Sequence, residues 1–483
     1  MSPPDAPRSD RLAQAFRSMP PASTTLPRHD RARAQVGVVH LGLGAFHRAH
    51  QAVVFDDLLQ AGDRRWGVLG VAMRSTALAD ALAAQDGLYA VQVADRSGVR
   101  WQVVGALLRT CVAAREPQQV IDALAAPATR WVTLTVTEKG YGEPLADLLV
   151  AGLAARRAVG LDGVTVASCD NLSDNGRKLR RLCLDAASRG SDPGLAAWID
   201  ARCAFPNSMV DRIVPAATER QRTDAAAALG VDDAGALATE AFWEWVIERR
   251  FADPADAAVL AAAGVTVVDD VKPFEDAKLR MLNGSHTALA LVGAVQGWRT
   301  VSDGVAIAAV RDFVHGYMTR MVMPHLARPG GAAYRDALLE RFANPALQHK
   351  VHQIAGDSSL KIPLRWGPTL RERLAAGLDV EPLAFATAVW FRYLRGTDEQ
   401  GNDYVIADPR GAALHGLAHR HAGDAAATVR ALLAVAEVWD ADLAGDPRWE
   451  ARVTHWLERI QAGDVATALA ELAADAAMAG HHA

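Results

Sequence analysis

Short apolar runs bounded by glycine, asparagine and proline dominate the first half of the chain, and amphipathic helical patterns dominate the second. Val36-Gly37-Val38-Val39-His40-Leu41 reads as a short buried strand, and Trp66–Met73, Tyr89–Val93, Val99–Val104, Trp131–Val136 and Val164–Ser168 are further strands in the pattern. Helical patterns at Gln51–Leu59, Pro117–Ala125 and Leu145–Ala158 lie between them and supply βαβ crossovers. Glu240–Arg250 predicts a Trp-rich amphipathic helix and Val265–Val271 a final strand. Beyond it the pattern predicts helices at Val305–Met323, Tyr334–Phe342, Thr369–Ala376, Pro382–Leu394, Ala425–Ala441, Arg448–Ala462 and Asp464–Ala477, with Gly356–Arg365 a polar loop. The expected organisation is an irregular arm (1–35), in which Leu12, Phe16 and Leu26 can pack on a domain surface, an α/β unit (36–271) and a mostly α-helical unit (272–483).

Composition narrows the classes of function. A formal net charge of −5 argues against nucleic acid or an anionic membrane as partner, so an anionic small molecule would need a local basic pocket. No apolar run of about 18 residues is available to cross a bilayer. Cys111, Cys169, Cys183 and Cys203 form no C-x-x-C pair and read as reduced residues. The expectation is a cytoplasmic protein, monomeric or a small homo-oligomer, acting on a small molecule.

The first strand runs into Gly42-Leu43-Gly44-Ala45-Phe46-His47-Arg48 and then a helix, the opening half of a dinucleotide-binding unit. Gly42 permits the tight turn and Gly44 lets backbone amides approach a pyrophosphate, although His47 stands where the usual third glycine would be. At the end of the second strand Met73-Arg74-Ser75 replaces the carboxylate that ordinarily binds the adenosine ribose of NAD, and Arg74 is suited to a 2′-phosphate or to stacking on adenine. Thr137-Glu138-Lys139-Gly140-Tyr141 and Cys169-Asp170-Asn171 follow later strands, where ligands bind in open α/β sheets. Ser173 or Asp174 reads equally as a helix cap, and Asp211-Arg212 equally as a structural ion pair.

Glu275 to His286 opens the helical unit. At roughly 100° per residue, Glu275, Lys278, Leu282, Asn283 and His286 fall within an arc of about 140°, with Ala277, Met281 and Ala288 opposite. An amine, an amide, an imidazole and a carboxylate then share one face, which is either a solvated surface or a set for moving protons beside a developing oxyanion.

Taken together, Gly42-x-Gly44-x-Phe46-His47-Arg48-Ala49-His50, Thr137–Tyr141, Ser168–Asn171, Met209–Pro215 and Lys278–His286 resemble the long-chain mannitol dehydrogenase family, from about Val36 past Pro409. The resemblance implies a Rossmann-type N-terminal domain, a helical C-terminal domain and metal-independent hydride transfer with NAD, NADP not being excluded. It implies Lys278 as general acid/base, Asn171 and Asn283 as donors to the reacting oxygen, and His286 and Asp211 as groups that place the substrate. Gly42, Gly44, Phe46, Arg74, Thr137 and Glu138 would bind the dinucleotide. Lys139, Gln353–Arg365 and Gly396–Asn402 are similar to the fructuronate reductase branch, with Lys139, Lys361 and Arg365 available to a substrate carboxylate; mannitol 2-dehydrogenase and arabinitol 4-dehydrogenase are the alternatives. The segment after Tyr141 is shorter than in relatives, which bears on substrate choice. A non-catalytic dinucleotide sensor would have no use for Lys278, Asn171 and Asn283 together, and a zinc hydrolase built on His40, His47 and His50 lacks a matching carboxylate or thiolate.

Overall fold

Alternate residues of the first long strand enter two different apolar layers, which is why the run is apolar throughout. Val38 packs with Phe55, Trp66 and Trp131 on one side, while Val39 and Leu41 pack with Leu149, Val166 and Leu179 on the other, all fully buried. Each such side chain contributes roughly 1.5–3 kcal/mol. The computed structural model describes residues 24–215, 218–346 and 349–480, in two compact units, Met1–Val271 and Lys272–Ala483.

The strands of the first unit are β1 (Thr24–Thr25), β2 (Val36–Leu41), β3 (Gly67–Ala72), β4 (Tyr89–Asp95), β5 (Gly98–Val104), β6 (Leu107–Val112), β7 (Trp131–Leu134), β8 (Thr165–Ser168), β9 (Ser208–Asp211), β10 (Leu237–Glu240), β11 (Glu244–Glu248) and β12 (Thr266–Val268). Five form a parallel sheet in the order β6-β3-β2-β7-β8. The chain starts in the middle, winds outward to β6, then returns to β7, so the topological switch lies between β2 and β7. Helices α1 (Ala45–Ala49), α2 (Gln51–Gln60), α3 (Ala77–Ala84), α4 (Pro117–Leu124), α5 (Glu143–Ala158) and α6 (Asn175–Arg189) belong to this unit. Smaller sheets, β1-β5-β4-β10 and β12-β11-β9, complete it. Leu26 packs on Ala90, Trp101 and Val103, whereas Leu12 and Phe16 lie outside the described residues.

The helix expected over Glu240–Arg250 is instead the last residue of β10 followed by the strand β11. Trp245 and Ile247 alternate with Val246, enter the core beside Val210 and leave β11 paired with β9 and β12. Tertiary pairing overrides a weak helical pattern in so short a run. In the second unit the expected loop over Gly356–Arg365 is mostly helix (Ser358–Arg365), because Asp408 caps it from a distance through Ser359 N at 2.8 Å and Ser359 Oγ at 2.6 Å. No helix among the described residues is long and apolar enough to cross a membrane.

Candidate active site

Strand register brings three candidate segments of the first unit to one edge. Leu41 of β2 faces Leu134 of β7, which faces Ser168 of β8, so the turns at Gly42, Thr135 and Cys169 leave neighbouring strands side by side. Adjacent strands are about 4.8 Å apart. Gly42–Gly44 and Thr137–Lys139 therefore follow the carboxyl ends of the two strands flanking the switch point, and Asn171 follows the end of β8 beside them.

Gly42 has a φ of +100°, and a Cβ there would lie 2.2 Å from the Thr135 carbonyl oxygen, so only glycine fits. Gly44 caps α1 in an extended conformation, and a Cβ there would find nothing nearer than 3.7 Å. One glycine closes against the sheet and the other leaves backbone open, the combination a dinucleotide pyrophosphate requires. His47, in place of the third glycine, is fully buried and stacks on His40 at 3.3 Å between centroids. His40 in turn holds Thr133 Oγ1 (2.9 Å), Thr135 Oγ1 (3.0 Å) and the Gly42 carbonyl (3.1 Å), so the pair braces α1 against β7. Phe46 stacks on His50 at 5.0 Å. Arg212 donates to the carbonyls of Ala49 and Glu240, fixing the end of α1 rather than serving as a simple surface ion.

Thr137 has a φ of +64°, costly by about 1–3 kcal/mol for a β-branched residue. The buried Asp170 carboxylate holds it there, accepting from Thr137 N (2.7 Å), Val136 N (3.1 Å) and the Tyr141 hydroxyl (3.0 Å). Burial pushes the Asp170 carboxyl up, and those three donors oppose the rise. Asp170 and Tyr141 thus shape the turn after β7, a role that sequence reasoning did not assign to them; a carboxylate at a strand end next to Asn171 was the only signal. Glu138, Lys139 and Asn171 are exposed and Asp211, at the end of β9, is buried. Asp174 occupies the N-cap of α6 without a side-chain cap bond, and Asn207 Oδ1 accepts from Gly176 N and Arg177 N instead.

The helical unit begins with α7 (Lys272–Ala277), passes through a π-helical segment, Lys278–Asn283, and continues as α8 (Gly284–Val295). The π-turn corrects the uniform wheel: at about 80° per residue through this segment, Glu275, Lys278, Asn283 and His286 gather into an arc of about 70°. All four are half-buried, and Ala277, Met281 and Ala288 opposite are buried. Carbonyls released by the wider turn find other donors. Trp366 Nε1 reaches Gly284 O (3.1 Å), Tyr317 Oη reaches Arg280 O (3.3 Å), and Arg365 reaches Asn283 O (3.2 Å) and Thr287 Oγ1 (2.6 Å). Arg280 adds a bidentate pair with Glu372 at 2.7 and 3.0 Å.

His286 stacks on Phe342 at 5.1 Å and leans on His349 at 5.4 Å, and its buried Nε2 has no hydrogen-bond partner among the described residues. Burial first, then the charges of His349, Arg365, Arg341 and Lys361, hold its pKa well below the ordinary range, so the ring is neutral at pH 7. Arg365 is pushed down to about 10 by burial, and Lys361 is lowered by burial and by Arg365. Lys361 donates to the Ile354 (3.1 Å) and Gly356 carbonyls, and among the described residues neither it nor Arg365 has a carboxylate within ion-pair distance.

Two family models account for nearly the whole described chain: the mannitol dehydrogenase Rossmann domain over residues 36–257 and the mannitol dehydrogenase C-terminal domain over 270–461. The D-mannonate oxidoreductase of Escherichia coli is 38% identical over 453 residues, 86% of this chain and 91% of that protein. A mannitol 2-dehydrogenase of Phaeosphaeria nodorum is 34% identical over 485 residues, 93% of this chain and 84% of that one. The Pseudomonas fluorescens mannitol 2-dehydrogenase, solved as a ternary complex with NAD and D-mannitol, superposes with a TM-score of 0.78 at 33% identity, covering 96% of this chain and 98% of that one. The chain belongs to the mannitol dehydrogenase family and is one of its NAD(P)-dependent oxidoreductases.

Proposed function

We propose that the protein interconverts a ketone and a secondary alcohol on an acyclic sugar acid, with D-fructuronate and D-mannonate the best-fitting pair. The observation that carries this reading is the cationic surround of His286, above all Arg365, which is partly buried and donates only to the neutral oxygens of Asn283 and Thr287, with Lys361, whose charge Asp357 and Asp408 offset in part, beside it. A desolvated cation without an anionic partner is costly, and a substrate carboxylate would relieve that cost. Likeness to an E. coli D-mannonate oxidoreductase agrees with it. A neutral polyol, as in the mannitol 2-dehydrogenase relatives, has no such charge to offer.

Gly42 and Gly44 would hold a nicotinamide dinucleotide, whose ring would supply or accept the hydride when bound. In the proposed scheme Lys278 exchanges the hydroxyl proton, and Asn283 and Asn171 donate to the oxygen as charge develops on it. Neutral His286 offers a ring nitrogen to a substrate hydroxyl, and Asp211 orients the chain. Phosphate-side residues Gly42 and Gly44 hold the cofactor, with the Thr137–Glu138 turn held rigid by Asp170 for the same task. The test is kcat/KM for D-fructuronate against D-fructose, each with NADH; a wild-type preference for fructose or mannitol would remove the sugar-acid reading and leave the polyol one.

A further inference from the structure

We infer that the adenosine-ribose end of the dinucleotide site takes a 2′-phosphate, so that NADP(H) binds at least as tightly as NAD(H), with Arg74 as the determinant. The inference rests on the family's dinucleotide site but not on the identity of the sugar. Val71 of β3 pairs with Leu41 of β2, so the end of β3 lies beside the glycine turn on the side away from β7. In this topology the residues after the second strand meet the adenosine ribose, and selection for NAD depends on an Asp or Glu that accepts from its 2′-hydroxyl.

No acid stands between Gly67 and Ala79. After Ala72 the chain presents Met73, then Arg74, Ser75 and Thr76, the last three exposed. Asp80, the first acid to follow, is drawn to Arg115 (3.1 Å), which also pairs with Glu116 (3.4 Å). The backbone places Arg115 opposite, through Ala114 N to Met73 O at 3.2 Å. Arg74 makes no hydrogen bond or ion pair among the described residues. Thr76 begins the eight-residue α3 without spending its hydroxyl on a cap bond. A free guanidinium with two adjacent hydroxyl side chains matches a phosphate dianion, and no carboxylate remains to repel it.

The experiment titrates full-length protein with NADP+, NAD+, 2′,5′-ADP and 5′-AMP, following tryptophan fluorescence, for wild type, Arg74→Ala and Arg74→Asp. The expected result is an NADP+ Kd no weaker than that of NAD+, 2′,5′-ADP competing better than 5′-AMP, and a loss of roughly 10- to 100-fold in NADP+ affinity in Arg74→Ala that clearly exceeds the loss for NAD+. Arg74→Asp should turn the preference to NAD+. Thermal melts matching wild type establish that the variants fold. Wild type binding NAD+ about tenfold tighter than NADP+, or Arg74→Ala weakening both equally as loss of adenine stacking would, overturns the inference while leaving the family assignment intact. Binding of neither dinucleotide overturns both.

Discussion

The glycine turn of the first unit and the π-helical segment of the second do their work with different parts of the chain. At Gly42–Gly44 the surface proposed to meet the dinucleotide is backbone, placed by strand register and by the absence of a Cβ. At Lys278–Asn283 it is side chains, and the backbone is the part that must be rescued, its carbonyls being served by Trp366, Tyr317 and Arg365. A cofactor common to many enzymes can be held by groups that every residue carries. Chemistry on one substrate needs particular functional groups, and a wider turn gathers them onto one helix face.

That contrast is breakable at single residues. Lys278→Ala, on the side-chain region, is expected to lower kcat by about 10³–10⁴-fold while dinucleotide affinity stays at the wild-type value. Steady-state kinetics alongside fluorescence titration separates the two, and a near-normal kcat would remove Lys278 as the base. The backbone region should fail in the opposite way. Gly42→Ala forces a Cβ against the Thr135 carbonyl at positive φ, and the expected cost is about 3 kcal/mol of stability together with lost dinucleotide binding, read as Tm and Kd.

Asn283→Ala and Asn171→Ala should each reduce kcat about 10²-fold with a smaller rise in KM; a change in KM alone would mean ground-state contacts only. Lys139, exposed on the turn after β7, is tested by Lys139→Gly, which should erode the preference for fructuronate over fructose by roughly 1.5–3 kcal/mol. An unchanged ratio would assign the carboxylate to Lys361 and Arg365 alone.

Acidification sharpens the comparison further. Burial, opposed by the hydrogen bond with the Gly42 carbonyl, pushes His40 down to about 3. A depressed histidine contributes stability that is complete above its unfolded pKa near 6.5 and is lost as pH falls toward the folded value. Between pH 6.5 and 5 the expected loss is about 2 kcal/mol. Buried Asp56, raised to about 7 by burial, has the opposite slope, so the measurement is the difference in denaturation midpoint between wild type and His40→Gln across that range. Parallel curves would show that His40 does not take up a proton on unfolding in this range.

Local pattern was sufficient for β2, β3, β7 and β8 of the parallel sheet and for the glycine turn, whereas β6 carried no mark that sequence reasoning used and the runs at Tyr89–Val93 and Val99–Val104 pair antiparallel in a smaller sheet. Strands covered on both faces are apolar throughout, and a turn that admits no Cβ demands glycine at Gly42 whatever surrounds it. The residue types at Lys278, Asn283 and His286 were legible for the same reason: polar groups that face one another on a helix recur at fixed spacing. Their true angular arrangement was not, since a π-turn leaves no local mark, and the Tyr317 and Arg365 donors that reach the carbonyls of Arg280 and Asn283 come from distant parts of the chain.

Strand or helix at Glu244–Glu248 was likewise settled by pairing with β9 and β12, and helix at Ser358–Arg365 by a cap from Asp408. Asp170 became the support of a strained Thr137 only because β7 and β8 lie in register. Sequence alone determined what each segment can bury and which functional groups it carries, because those are properties of neighbouring side chains. Tertiary structure decided which backbone groups go unpaired and which distant donor or acceptor meets them, because a hydrogen bond is satisfied in space and not along the chain.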